Sequence, residues 1–78
     1  MYIIEALGFG FIKSYVDTPN GRGHVSFTRK EQDAILFDSK ADAVTFWRTQ
    51  SAMVPLRPDG KPNRPLTAYS VEIRRTDF

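Results

Sequence analysis

The sequence predicts an α+β domain, in which a small antiparallel sheet of three to five strands packs on one α-helix in the order β-β-β-(β)-α-β. Three observations carry this expectation. Short runs rich in β-branched and aromatic residues alternate with Gly, Asn and Pro turn signals over the first 28 positions. One capped segment with helical apolar spacing follows Phe37. The chain then closes on an alternating strand pattern. Seventy-eight residues make a single domain over 1–78, and a chain this short buries only about 60–65% of its unfolded surface. A thin core is expected.

The first element is "YIIEAL" (Tyr2–Leu7) and the second "FIKSYV" (Phe11–Val16). They flank Gly8-Phe9-Gly10, whose two glycines supply positive φ where a three-residue connection needs it, so the pair reads as a β-hairpin. One long strand kinked at glycine is the alternative. "DTPNGRG" is a turn, and "HVSFT" is a short strand with Val25 and Phe27 on one side. "RKEQD" is polar and fits an exposed turn or one helical turn. "AILF" (Ala34–Phe37) is a short apolar run leading into the helix.

Asp38 or Ser39 is placed to cap that helix, with Asp42 three residues after Ser39 resembling a capping box. Ala43, Val44, Phe46, Trp47 and Ser51 fall on one face, and the helix is expected to end near Ser51–Met53, ahead of Pro55. "RPDGKPNRP" then occupies a Pro-rich basic loop within 54–65. "LTAYSVEIRR" is the last strand, with Tyr69, Val71 and Ile73 alternating with Ser70, Glu72 and Arg74. An isolated helix of about 13 residues is marginal in water, so this one must dock on the sheet, with Phe46 and Trp47 as anchors.

Composition narrows the function classes. The chain has no cysteine, which removes disulfides, thiolate metal sites and thiol catalysis, and suits a reducing, cytoplasmic compartment. No apolar run is long enough to span a bilayer. The apolar start lacks the basic leader and cleavage site of a signal peptide, so it is expected to belong to the fold. Eleven Lys/Arg against nine Asp/Glu give a net charge of +2. The distribution is uneven: residues 1–39 carry four basic and five acidic groups, residues 40–78 seven and four. Strong nucleic-acid binders show a denser basic stripe.

His24 is the only histidine. With Ser14 or Ser26 it matches no catalytic spacing, and it reads as an exposed turn residue. One histidine without cysteine, and scattered carboxylates, give no metal motif. "GFG" lacks the third glycine and the following helix of a phosphate-binding fingerprint. No cofactor, metal or catalytic residue is expected, and the chain reads as a non-enzyme. Ten aromatics are many for this length, but no RNA-binding octamer is present and most alternate as core residues. Tyr2, Phe27, Phe37, Phe46, Trp47 and Tyr69 are expected in the core. Phe9, at the hairpin tip, either lies exposed for binding or folds back over the sheet edge.

The 54–65 loop carries two PxxP strings, neither with a basic residue at the spacing an SH3-type groove requires. Two readings remain for it. As a cationic arm, Arg57, Lys61 and Arg64, with Arg48 nearby, meet phosphates or an acidic protein surface. As a spacer, its prolines and "PDG" turn restrict the unfolded chain.

A hairpin, then "AILFDSKADAVTFWRTQ" entering a capped helix, then the closing strand "AYSVEIRR", make an element order that resembles small single-domain proteins of bacteriophages and mobile elements, anti-CRISPR proteins among them. That resemblance implies a non-catalytic inhibitor in the bacterial cytoplasm that docks on a CRISPR effector subunit and blocks nucleic-acid or nuclease access. Many such inhibitors are acidic DNA mimics, whereas this chain has a pI near 9.2, so docking on an acidic protein patch is the form the resemblance takes here. The expected partner-binding residues are Phe9, Arg48, Arg57, Lys61, Arg64, Arg74 and Arg75. A small nucleic-acid-binding protein, gripping its partner with the same basic loop and surface aromatics, is the alternative. The last strand, if unpaired along one edge, also offers a homodimer contact, the other state being a monomer.

Overall fold

The structure, a computed structural model, describes every residue from Met1 to Phe78. It is the expected α+β arrangement: strands β1 (Tyr2–Ala6), β2 (Gly10–Val16), β3 (His24–Thr28) and β4 (Val71–Arg75), with one helix, α1 (Lys40–Trp47), between β3 and β4. The strands form one antiparallel sheet in the order β3-β2-β1-β4. β3 and β4 are therefore its edges. No helix is long and apolar enough to cross a membrane.

β1 and β2 form a hairpin rather than one kinked strand. Its loop is Leu7-Gly8-Phe9, closed by the Phe9 N–H donating to the Ala6 carbonyl at 2.9 Å. Gly8 and Gly10 take φ of 86° and 111°, a region that residues with a Cβ rarely adopt. Gly10 is doubly required, since a Cβ there would lie 2.8 Å from the Thr28 carbonyl oxygen of β3.

The two strands pair only at Glu5–Phe11 and Ala6–Gly10 before they part. Residues 35–37 fill the opening. The Ile35 N–H donates to the Ile12 carbonyl at 3.1 Å, and Tyr2 and Phe37 exchange two backbone bonds of 2.8 Å each. The optional strand expected at Ala34–Phe37 is thus a single bridge, Tyr2–Phe37, wedged between β1 and β2. Between them and the helix lies the core: Ile4, Ala6, Ile12, Ala43 and Leu66, with Phe27, Phe37, Phe46, Trp47, Tyr69, Val71 and Ile73 half-buried around it. Each fully buried isoleucine is worth about 1.5–3 kcal/mol in removed apolar surface. Ile3 and Ile4 are neighbours in β1 and both buried, so both faces of β1 are covered there.

The helix is capped as expected, Ser39 Oγ accepting from the Asp42 N–H at 3.1 Å. It is shorter than the spacing implied, ending at Trp47 rather than near Ser51–Met53. Thr49 closes it: both its N–H (3.1 Å) and its hydroxyl (2.6 Å) donate to the Phe46 carbonyl. Ser51, Ala52 and Met53 are drawn instead to a side chain of another element, described below. Two turns of helix are not stable alone, and α1 persists because it docks. Ala43 is fully buried, the Phe46 ring lies 5.2 Å from Phe37, and Trp47 Nε1 donates to the Tyr69 carbonyl at 3.3 Å. Val44, which the spacing put on the packed face, is exposed.

The last strand also starts later than its pattern indicated. Pro65 opens a one-turn 3-10 helix (Pro65–Ala68) that drops Leu66 into the core, and β4 begins only at Val71. Proline favours that first helical position because it has no N–H to lose.

Candidate functional site

The segment from Arg48 to Pro65 has little regular structure, yet it is tied down at both ends. At its start the carboxylate of Asp17, which follows β2, accepts five hydrogen bonds. Oδ1 takes the Ser51 hydroxyl (2.7 Å), the Thr18 N–H (3.1 Å) and, more distantly, the Tyr15 hydroxyl (3.4 Å). Oδ2 takes the N–H groups of Ala52 (2.7 Å) and Met53 (2.9 Å). Chain that would have continued the helix winds around this carboxylate instead. The Ser51 hydroxyl, then the Met53, Ala52 and Thr18 N–H groups, hold Asp17 below the usual carboxylate pKa against an opposing desolvation. Tyr15 is raised, by burial first and by the Asp17 charge and hydrogen bond next.

At the other end Asn63 acts as a second clasp. Its Nδ2 donates to the carbonyls of Gly21 (2.8 Å) and Val54 (2.9 Å), and its own carbonyl accepts from the buried Ser51 at 2.8 Å. Gly21 is needed here: φ is 76°, and a Cβ would come within 3.1 Å of Asn63 Nδ2.

Between the clasps the chain makes a tight hairpin-like turn. The Gly60 N–H donates to the Arg57 carbonyl (2.9 Å) and the Arg57 N–H to the Lys61 carbonyl (2.7 Å), with Leu56 bridged to Pro62. Pro58, Asp59 and Gly60 stand where such a turn prefers them.

This backbone brings Arg57 and Lys61 together across the turn. Arg48, just past α1, and Arg64, just before the 3-10 turn, complete a set of four cations. They line one cavity of about 370 Å³ together with Trp47, Pro62 and Thr67. The chain has two ion pairs, Arg57–Asp59 at 3.0 Å and Arg74–Glu5 at 2.9 Å. Arg48, Lys61 and Arg64 therefore line the cavity without a carboxylate partner. A second, more apolar groove of about 530 Å³ adjoins it between α1 and edge strand β4, formed chiefly by Val44, Trp47, Tyr69, Val71 and Ile73. Trp47 and Thr67 belong to both.

The other expected binding residues lie elsewhere. Phe9 combines both readings offered for it: the residue is 54% exposed, yet its ring stacks on Phe27 at 5.3 Å and meets Tyr69 edge-on at 5.1 Å. Arg74 is spent on Glu5 across the β1–β4 pair, and Arg75 sits opposite Tyr2 at the end of β4. Neither lines the cavity. His24 is exposed at the start of β3, no three His, Asp or Glu side chains gather as a metal site would require, and every buried side-chain polar atom has a partner.

Sequence reasoning missed the roles of Asp17, Ser51 and Asn63, which fix the path of the chain that carries Arg57 and Lys61. The available signals were an aspartate directly after a strand and a serine opening a run of free N–H groups, both weak without the fold. No protein-family model, curated protein or solved structure matches the chain.

Proposed function

We propose that this chain is a non-catalytic binding module that docks on a protein partner through the cationic cavity. The observation that carries the reading is the convergence of Arg48, Arg57, Lys61 and Arg64 on one concavity, three of them without an acid partner. The loop that carries Arg57, Lys61 and Arg64 is held in place by two side-chain clasps, Asp17 and Asn63, that meet at Ser51. Pre-positioned cations lower the ordering cost of binding and steer an acidic surface into register. With the element-order resemblance to anti-CRISPR proteins, the reading extends to an inhibitor in the bacterial cytoplasm that covers an acidic patch on a CRISPR effector subunit and blocks nucleic-acid or nuclease access.

The test is recovery of the partner from a lysate containing CRISPR effectors, comparing the wild type with an Arg57→Ala/Lys61→Ala/Arg64→Ala variant. Loss of an effector subunit with the variant is expected. Equal recovery, or no effector subunit with either protein, overturns the reading.

A second reading is nucleic-acid binding, and one observation favours it. The half-buried Trp47 lies beside the cations, and a stacking ring next to phosphate-binding groups is how single strands are held. Binding to random-sequence oligonucleotides should then fall by nearly one log unit per log of salt for each phosphate contacted. No measurable binding at about 50 mM salt excludes it.

A further inference from the structure

We infer that the cationic cavity is a phosphomonoester site, in which Arg48, Lys61 and Arg64 hold the phosphate and Trp47 holds the apolar or aromatic group attached to it. The inference rests on the reading of this cavity as the docking site and names the chemistry it selects.

Charge comes first. Asp59 is the one acid among residues 48–64 and it is already paired with Arg57, which leaves three unneutralised cations around one space. A single carboxylate would cancel only one of them. A phosphomonoester brings close to two negative charges at neutral pH and three acceptor oxygens, and guanidinium forks match those oxygens in pairs.

Geometry comes second. The cations do not hold one another in place, since like charges repel. The backbone does it, through the Arg57–Lys61 turn and the Asp17 and Asn63 clasps. At about 370 Å³ the cavity lies at the small end of the roughly 300–1,000 Å³ typical of ligand pockets.

The third consideration is what lies next door. The wall shared with the apolar groove is Trp47, whose ring is fixed by the Nε1 bond to the Tyr69 carbonyl at 3.3 Å. A ligand with its phosphate among the cations thus lays its next group on indole and on the Val44–Val71 groove. Inorganic phosphate would use half of the site.

Trp47 is the sole tryptophan, so its fluorescence reads the site directly. The titrants are inorganic phosphate, phenyl phosphate and 5′-AMP at low salt, with sodium chloride at matched ionic strength as control. Saturable change is expected with all three phosphates and not with chloride. Phenyl phosphate or 5′-AMP should bind tighter than phosphate by on the order of fivefold or more, the worth of one ring stacked on an aromatic side chain. Phenyl phosphate stands for a phosphorylated tyrosine and 5′-AMP for a nucleotide, so the tighter of the two names the source.

Affinity should rise as pH increases through about 6, where the dianion forms. Lys61→Ala and Arg48→Ala, both at exposed positions, should each weaken phosphate about tenfold. Lys13→Ala, which removes the same charge from β2, should change it by less than about twofold. A response to chloride equal to that of phosphate, or equal losses in Lys13→Ala and Lys61→Ala, overturns the site. Phenyl phosphate and 5′-AMP both binding no tighter than phosphate overturns the role of Trp47. Partner capture is read separately: an effector subunit retained by a protein that ignores phosphate would refute this inference and spare the docking reading.

Discussion

On one side of the 48–65 segment a single carboxylate accepts five hydrogen bonds, and on the other three of four cations have no acid partner. Both are ionic groups set against one irregular stretch of chain, the carboxylate reaching it from the end of β2 and the cations carried on it. Asp17 is surrounded by donors from its own fold, and its charge is spent on shaping the loop. Arg48, Lys61 and Arg64 are positioned by that loop and return nothing to it. A charge satisfied from within builds structure; a charge gathered and left unsatisfied is available to a ligand. Stability and binding should therefore separate cleanly when the two regions are mutated.

The largest effect is expected from Asp17→Ala. It leaves the Ser51, Ala52 and Met53 donors without their acceptor and releases the 48–65 segment, so the melting temperature should fall by more than about 5 °C. Amide exchange across residues 51–63 should rise with it, and the Trp47 response to phosphate should vanish because the cavity walls are gone. An unchanged melting temperature would erase the distinction between the two regions.

Acid should reproduce part of that loss. The folded-state pKa of Asp17 lies below its unfolded value, so its contribution is fully present above the unfolded value, near 3.9. It is lost as pH falls through the lower, folded value. Melting curves between about pH 6 and 2 should show this decline in the wild type and a shallower one in Asp17→Asn. Identical curves would mean that the carboxylate is not the group responsible.

The opposite behaviour is expected of the cations. Replacing Arg48, Lys61 and Arg64 by alanine should leave stability within about 0.5 kcal/mol per site while removing phosphate and partner binding. Smallest of all is Arg74→Ala. Its pair with Glu5 is solvent-exposed, so denaturant unfolding should register about 0.5 kcal/mol or less and partner recovery should not move.

The same contrast explains what the sequence revealed. Local chemistry was legible. Gly8 and Gly10 marked the hairpin, Ser39 marked the helix start, and the Val25/Phe27 and Val71/Ile73 alternations marked strands, because each signal depends on a residue and its near neighbours. Arg48, Arg57, Lys61 and Arg64 were legible as a cluster for the same reason: they are close in the chain. The helix end was not. Thr49 closes the helix at the Phe46 carbonyl, and the chain beyond is drawn off by Asp17, which lies 34 residues before Ser51, a distance no local pattern encodes. Residues 35–37 looked like a run into the helix because the gap they fill is made by β1 and β2 parting. Arg74 and Arg75 were grouped with the cavity cations by charge alone, and sheet register sends them elsewhere. That the loop's cations border one open concavity follows from the chain folding back at Arg57–Lys61 and from Asn63 reaching Gly21 across the fold.

The most direct measurement is a thermal melt of the wild type and the Arg48→Ala/Lys61→Ala/Arg64→Ala variant, each in sodium phosphate and in sodium chloride of equal ionic strength. A ligand that binds only the folded state at 100 times its Kd adds about 2.7 kcal/mol of stability. The wild type should therefore gain more from phosphate over chloride than the variant, which keeps only the general stabilisation an excluded anion gives any fold, and in chloride the two should melt close together. A variant that gains as much from phosphate as the wild type, or that is already unfolded in chloride, would contradict the assignment of these cations to binding rather than to the fold.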